Sequence, residues 1–179
     1  MGLQLIFCVE TNKKCKSDYI YIKNAIDRFF AVDNSKIRLS PVYMDGKGNF
    51  ASRKVRKETN SLIDQYRKAS KNNRSVVIMC LDCDDYDVKP EDKEFLSKAG
   101  NYCKENGFKF VWFCKDIEHV FLGKRIADQY KDNEARMFAA KKRIAGFEYE
   151  KLKSNRYQIH RSNLGIVLEE YLDLKTPGT

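Results

Sequence analysis

Four short apolar runs recur along the chain, separated by longer stretches whose apolar residues fall at helical spacing. Leu3-Gln-Leu-Ile-Phe-Cys-Val9 opens the series and ends at Glu10. Lys36-Ile-Arg-Leu-Ser-Pro-Val-Tyr43 alternates; its Pro41 donates no ladder hydrogen bond, which predicts an edge strand or a strand end. Ser75-Val-Val-Ile-Met-Cys-Leu81 is nearly continuous, as in a buried strand of a parallel sheet. Phe108-Lys-Phe-Val-Trp-Phe-Cys114 is the fourth run.

Between these runs the period changes. Tyr19, Ile22, Ile26, Phe29 and Phe30 lie on one face of a helix that Ser17 or Asp18 can cap. Residues 51–71 are helical by pattern, with a basic front at Arg53, Lys54, Arg56 and Lys57. Pro90 before Glu91 and Asp92 is a helix start, and Asn106-Gly107 a stop. After the fourth run, Asp116–Gly123 predicts a short helix and 124–145 a long one ending in Lys141, Lys142 and Arg143. Ser162 caps a last amphipathic helix carrying Leu164, Val167, Leu168, Tyr171 and Leu172, and Thr176–Thr179 reads as a disordered end.

Strands alternating with helices predict a three-layer, Rossmannoid α/β domain with a mainly parallel four-stranded sheet over residues 1–115. Residues 116–179 form a helical C-terminal extension packed on the same domain, because no repeat or Pro/Gly/Ser-rich linker sets off a second one. A chain of 179 residues, 42% hydrophobic, is long enough to bury one core.

In a parallel sheet, ligands bind beyond the carboxyl ends of the strands. Here those ends are acidic: Glu10 closes the first run, Asp82 and Asp84 the third, and Glu118 follows the fourth. If the chain stays extended through Asp84, Asp82 and Asp84 share a side. Like carboxylates so placed call for a proton or a hard divalent cation between them. Asp85 and Asp87 read as loop carboxylates. The formal net charge of +9 points to a polyanionic partner, although a lysine-rich solvated surface gives the same balance.

Other classes fall away. No window approaches the roughly 20 apolar residues of a membrane span. The start MGLQLIFCVE turns acidic too soon for a secretory signal, and Ile6 stands where myristoylation prefers Ser or Thr. Cys8, Cys80 and Cys114 lie in apolar runs, and Cys80-x-x-Cys83 has no second pair to complete a zinc site. A reduced, cytoplasmic protein is the simpler reading. A receiver or nucleotide-binding domain lacks its glycine-rich phosphate loop.

Phe7-Cys-Val-Glu10 and, later, Leu81-Asp-Cys-Asp84 resemble the Toprim domain of topoisomerases, primases and OLD-type nucleases. Asp116-Ile-Glu118-His-Val-Phe121-Leu and Ser162-Asn-Leu-Gly-Ile-Val-Leu extend the resemblance to the small RloB-like Toprim proteins of phage defence. Thr11 stands where the family's first motif usually has glycine.

The resemblance implies a metal-dependent nuclease cleaving DNA or structured RNA such as tRNA, with Glu10, Asp82 and Asp84 catalytic. Those three and Glu118 would hold Mg²⁺ or Mn²⁺, and His119 or Lys13 would offset phosphate charge. Lys13, Lys14, Arg53, Lys54, Arg56, Lys57, Lys141, Lys142, Arg143, Arg156 and Arg161 would contact nucleic-acid phosphates without reading sequence. His160 is at most a further phosphate contact. Small Toprim proteins often work beside an ATPase, and a homodimer is a plausible restraint on such a nuclease. The alternative is a Toprim-like binding module without turnover, docked to an ATPase or to nucleic acid.

Overall fold

A computed structural model describes residues 2–176. Its centre is a four-stranded, all-parallel sheet in the order β3-β1-β4-β5, formed by β1 (Leu3–Val9), β3 (Ile37–Tyr43), β4 (Arg74–Asp82) and β5 (Lys109–Phe113). β3 is an edge strand, which is why Pro41 is tolerated within it. The central strands β1 and β4 are apolar on both faces because helices cover both.

Leu5, Phe7, Ile78, Cys80, Val111 and Phe113 point to one face, against α1 (Ser17–Phe29), α4 (Ile117–Leu122), α5 (Asp128–Ala140) and α6 (Leu164–Glu169). Ile6, Cys8, Val77, Met79 and Leu81 point to the other, against α2 (Arg53–Ala69) and α3 (Pro90–Asn106). Tyr21 of α1 stacks on Phe121 at 5.3 Å and meets Phe138 edge-on at 5.1 Å, so the segment after residue 116 shares the core of the sheet. This is a Rossmann-like three-layer α/β fold. Among the described residues no helix is long and apolar enough to cross a membrane.

The helix signals at α3 act as the chain predicts: Pro90 opens it and Gly107, left-handed at φ 68°, closes it. Three local expectations are corrected. Neither Ser17 nor Asp18 caps α1; the Asp18 carboxylate turns back and accepts the Thr11 N–H at 3.1 Å. The long helix of 124–145 is shorter, Asp128–Ala140, because Lys142 is left-handed (φ 50°) and starts a 3-10 turn over Arg143–Gly146. That turn returns Ile144 to the core and lays Phe147 on Phe121, with ring centroids 4.9 Å apart. Asn163, rather than Ser162, is the residue before α6, although the Ser162 hydroxyl does accept the Leu164 N–H. Of the expected disordered end, Thr176–Thr179, all but Thr176 lies outside the described residues.

The tail before α6 covers the free edge of β5. Cys114 N–H donates to the Arg161 carbonyl, His160 N–H to the Cys114 carbonyl, and Ser162 forms an antiparallel bridge with Phe113. Asn163 finishes the edge, its Oδ1 accepting from Trp112 N–H and its Nδ2 donating to the Phe110 carbonyl, both at 2.9 Å. Gly165 lets α6 sit close against the 3-10 turn over Tyr149–Leu152, since a Cβ there would lie 2.9 Å from the Leu152 carbonyl oxygen. Beyond α6, a two-stranded antiparallel pairing of β2 (Phe30–Ala31) with β6 (Asp173–Leu174) ties the end of the chain to α1. Asn163→Ala strands both β5 groups and is expected to cost about 1–3 kcal/mol, read as a lower urea midpoint with an unchanged slope.

Candidate functional site

The carboxyl ends of β1 and β4 bring Glu10 and Asp82 together. Glu10 Oε1 accepts the Asp82 backbone N–H at 2.7 Å, and Asp82 Oδ1 accepts the Ile117 N–H at 3.0 Å, so one chain of hydrogen bonds links β1, β4 and α4. Asp82 shares the sheet face of Ile78 and Cys80 and so looks toward α1 and α4. There it meets Asp18, buried in the first turn of α1, and Glu118, fully buried in α4. Asp116 caps α4 through the His119 N–H at 2.7 Å and holds His119 Nδ1 at 2.9 Å.

The electrostatics follow from burial. Desolvation, with the charges of Asp18 and Asp84 added, pushes Glu10 up to about 8, against the pull of the Asp82 N–H and Lys47. Burial, then Glu10, Asp18, Glu118 and Asp116, holds Asp82 well above the usual carboxylate range. Burial likewise raises Asp18, and pushes Glu118 up to about 7 despite Lys131. Both Glu118 oxygens are buried without a hydrogen-bond partner. Its ion-pair partner is Lys131 of α5, with Nζ 3.5 Å away.

Asp84 takes a different place from the one its spacing predicts. β4 ends at Asp82, and Asp84 is left-handed at φ 48°. The Cys83 and Asp84 N–H groups donate to the Phe113 and Lys115 carbonyls, which turns the chain away from the extended path. The Asp84 carboxylate is thereby ion-paired with Lys47, whose Nζ also reaches Asp92 at 2.8 Å. Among the described residues no three His, Cys, Asp or Glu side chains converge closely enough to hold a metal as they stand.

The basic residues divide. Lys13, Lys14 and Lys54 line a cleft of about 340 Å³ with Asn12, Tyr43 and Asp45, beside the loop that follows Glu10. The Asp45 and Gly46 N–H groups donate to the Thr11 and Glu10 carbonyls, which holds this loop against the turn after β3. Arg53, Arg56 and Lys57 line an open groove along α2 with Lys68. Lys141, Lys142 and Arg143 lie past the end of α5, with Arg143 3.6 Å from Glu134. Arg156 is exposed in the tail, while Arg161 donates to the Glu150 carbonyl at 3.0 Å. His160 stacks on His119 with ring centroids 5.7 Å apart, and its Nδ1 donates to the His119 carbonyl.

Sequence reasoning missed Asp18, Lys47 and Lys131. Asp18 carried the signal of a helix cap, and the two lysines sat among many others. No family model matches this chain, and no similar protein emerges among curated proteins or solved structures.

Proposed function

We propose that this protein is a metal-dependent nuclease of Toprim type, cleaving phosphodiester bonds in DNA or structured RNA such as tRNA, and serving as an effector in bacterial or phage defence. The observation that carries this reading is the crowding of Glu10, Asp18, Asp82 and Glu118 at the carboxyl edge of a parallel sheet, next to a lysine-lined cleft. Carboxylates forced together in this way bind protons or cations tightly. The orphaned Glu118 oxygens and the donor set of hard carboxylate oxygens suit Mg²⁺ or Mn²⁺. Glu10, Asp82, Asp84 and Glu118 would hold it, with Asp84 first leaving Lys47 and Glu118 first leaving Lys131. A bound ion supplies charge stabilisation at a phosphate oxygen and a more acidic water.

The chain's own residues do the rest. Oε1 of Glu10 stays on the Asp82 N–H, which leaves Oε2 as the oxygen it would offer the ion. Lys13, Lys14 and Lys54 hold backbone phosphate in the cleft beside it. Arg53, Arg56 and Lys57 extend that track along α2.

The second reading, a binding module without turnover, is favoured by one observation: Lys47 already neutralises Asp84. Calorimetric titration with Mg²⁺ and Mn²⁺, run beside cleavage of plasmid and total tRNA, separates the two. Metal binding with cleavage supports the nuclease. Nucleic-acid binding with neither metal uptake nor cleavage sinks it and leaves the module.

A further inference from the structure

We propose that Cys83 and Cys114 form an oxidation site, at which a hydroperoxide converts the two thiols to a disulfide that ties the turn after β4 to the end of β5. The inference stands apart from the nuclease reading. The two Sγ atoms are 3.1 Å apart, and both side chains are buried. The sheet sets this closeness. Asp82 of β4 pairs with Phe113 of β5 in parallel register, so the next residues along, Cys83 and Cys114, face one another. The Cys83 N–H donates to the Phe113 carbonyl at 2.9 Å and the Asp84 N–H to the Lys115 carbonyl at 2.7 Å, one bond on either side of Cys114. The tail holds Cys114 from the other edge, through the Arg161 carbonyl and the His160 N–H. Strands paired in this way lie about 4.8 Å apart, inside the range of roughly 4.4–6.8 Å between bridged Cα atoms. A bridge therefore asks for rotation of the side chains and no shift of the strands.

The pairing is specific. Cys80, which shares the C-x-x-C spacing with Cys83, faces the opposite side of the sheet and meets the Ile78 carbonyl at 3.8 Å. Cys8 meets the Thr59 hydroxyl, also at 3.8 Å. Access comes through an aromatic cover. Cys83, Cys114, Leu96 and Trp112 form a small apolar cluster against Tyr86. Tyr157 packs on Trp112 at 4.9 Å and on Tyr86 at 5.3 Å. Tyr86, Tyr157 and Leu96 also line a cavity of about 710 Å³, so its wall is the cover of the thiols. An apolar wall admits a small uncharged oxidant such as hydrogen peroxide at less cost than a charged one. One thiol sulfur attacks a peroxide oxygen; the S–O bond forms, the O–O bond breaks, and the leaving hydroxide takes the thiol proton as water. The second sulfur then attacks that sulfenic sulfur; the S–S bond forms, the S–O bond breaks, and its proton leaves in a second water. Two thiols lose two electrons, and one peroxide becomes two waters. Because both thiols are buried, the reaction waits on opening of the cover and takes minutes to hours.

The test treats the reduced full chain with hydrogen peroxide under native conditions, in a Cys15→Ser background that removes the half-exposed thiol. The chain is then unfolded in an alkylating agent, and its unreduced digest is mapped by mass spectrometry. The expected product is one linked peptide pair joining Cys83 to Cys114, lighter by two hydrogens than the two free peptides. Cys8, Cys80 and Cys103 should be alkylated, and dithiothreitol should return both bridged thiols. Oxidation of the half-exposed Met137 to its sulfoxide shows that the peroxide dose is sufficient. Cys83 and Cys114 both alkylated at that dose overturns the proposal. So does a bridge from Cys83 to any other cysteine, or conversion of either thiol to the sulfinic acid in place of the bridge.

Discussion

Asp82→Asn is expected to abolish cleavage while leaving the fold intact. The substitution keeps the shape of the side chain and an oxygen that can accept the Ile117 N–H, so the link between β4 and α4 survives. The Asp82 backbone N–H still donates to Glu10. What disappears is the negative charge. In the proposed site that charge is worth several kcal/mol of transition-state stabilisation, or a rate loss of about 10²–10³-fold. Stability should move the other way. Burial and four neighbouring carboxylates hold Asp82 well above its usual range, so the metal-free protein gains when the carboxylate is replaced by a neutral amide. The measurement is the initial rate of plasmid or tRNA cleavage in saturating Mn²⁺, with Tm recorded in EDTA. Cleavage at the wild-type rate would remove Asp82 from the site. Asp84→Asn makes an informative contrast, because it also releases Lys47 from its ion pair.

The metal-free protein is expected to lose stability as pH rises from about 4.5 to about 8. Glu10 moves from an ordinary 4.5 up to about 8 in the folded chain, and Glu118 from 4.5 up to about 7. Between these limits the folded state binds more protons than the unfolded state, so the unfolding free energy falls with rising pH. The stabilisation is complete below about 4.5, declines through 7 and 8, and is gone above. Carboxylates with lowered values, such as Asp85 and Asp92, act in the opposite sense. Their contribution is lost only as pH falls below their ordinary 3.8, outside this window.

For a chain of this size a loss on the order of a few kcal/mol shifts Tm by roughly 10 °C. The comparison is Tm at pH 5.5 against pH 8.5 in EDTA, repeated with Mn²⁺. Under the proposed function the metal should recover much of the loss at pH 8.5, since it binds the ionised form. Glu10→Gln, which keeps an acceptor for the Asp82 N–H, should flatten the profile. A Tm that rises from pH 5.5 to 8.5 in wild type would show that these carboxylates are not held protonated.

Much of this molecule is written in short-range pattern. The apolar runs at residues 3–9 and 75–81 sit in the observed strands, and that at 108–114 brackets the strand Lys109–Phe113, because burial on both faces needs continuous apolar sequence. Pro90 and Gly107 bound α3 by backbone chemistry alone, and Pro41 marks the edge strand for the same reason. The position of Glu10 and Asp82 at one sheet edge follows once the strands are parallel and in register. Local spacing misleads wherever a longer-range contact outweighs it. Asp82 and Asp84 look equivalent at a spacing of two. Yet the Cys83 and Asp84 amides bond across to Phe113 and Lys115, and that turn sends Asp84 to Lys47.

The basic tail has a part that its composition did not announce: its backbone and Asn163 cover the edge of β5. Asp18 read as a helix cap and became a buried member of the acidic cluster, because the loop after β1 folds back over it. Period, strand direction and the acidic character of the sheet edge were therefore legible along the chain, since each depends on neighbours a few residues away. Which carboxylates meet, and which lysine neutralises each, was decided by tertiary structure. Charges pair by distance in space, and Glu118 with Lys131 or Asp84 with Lys47 become neighbours only after helices and turns have packed.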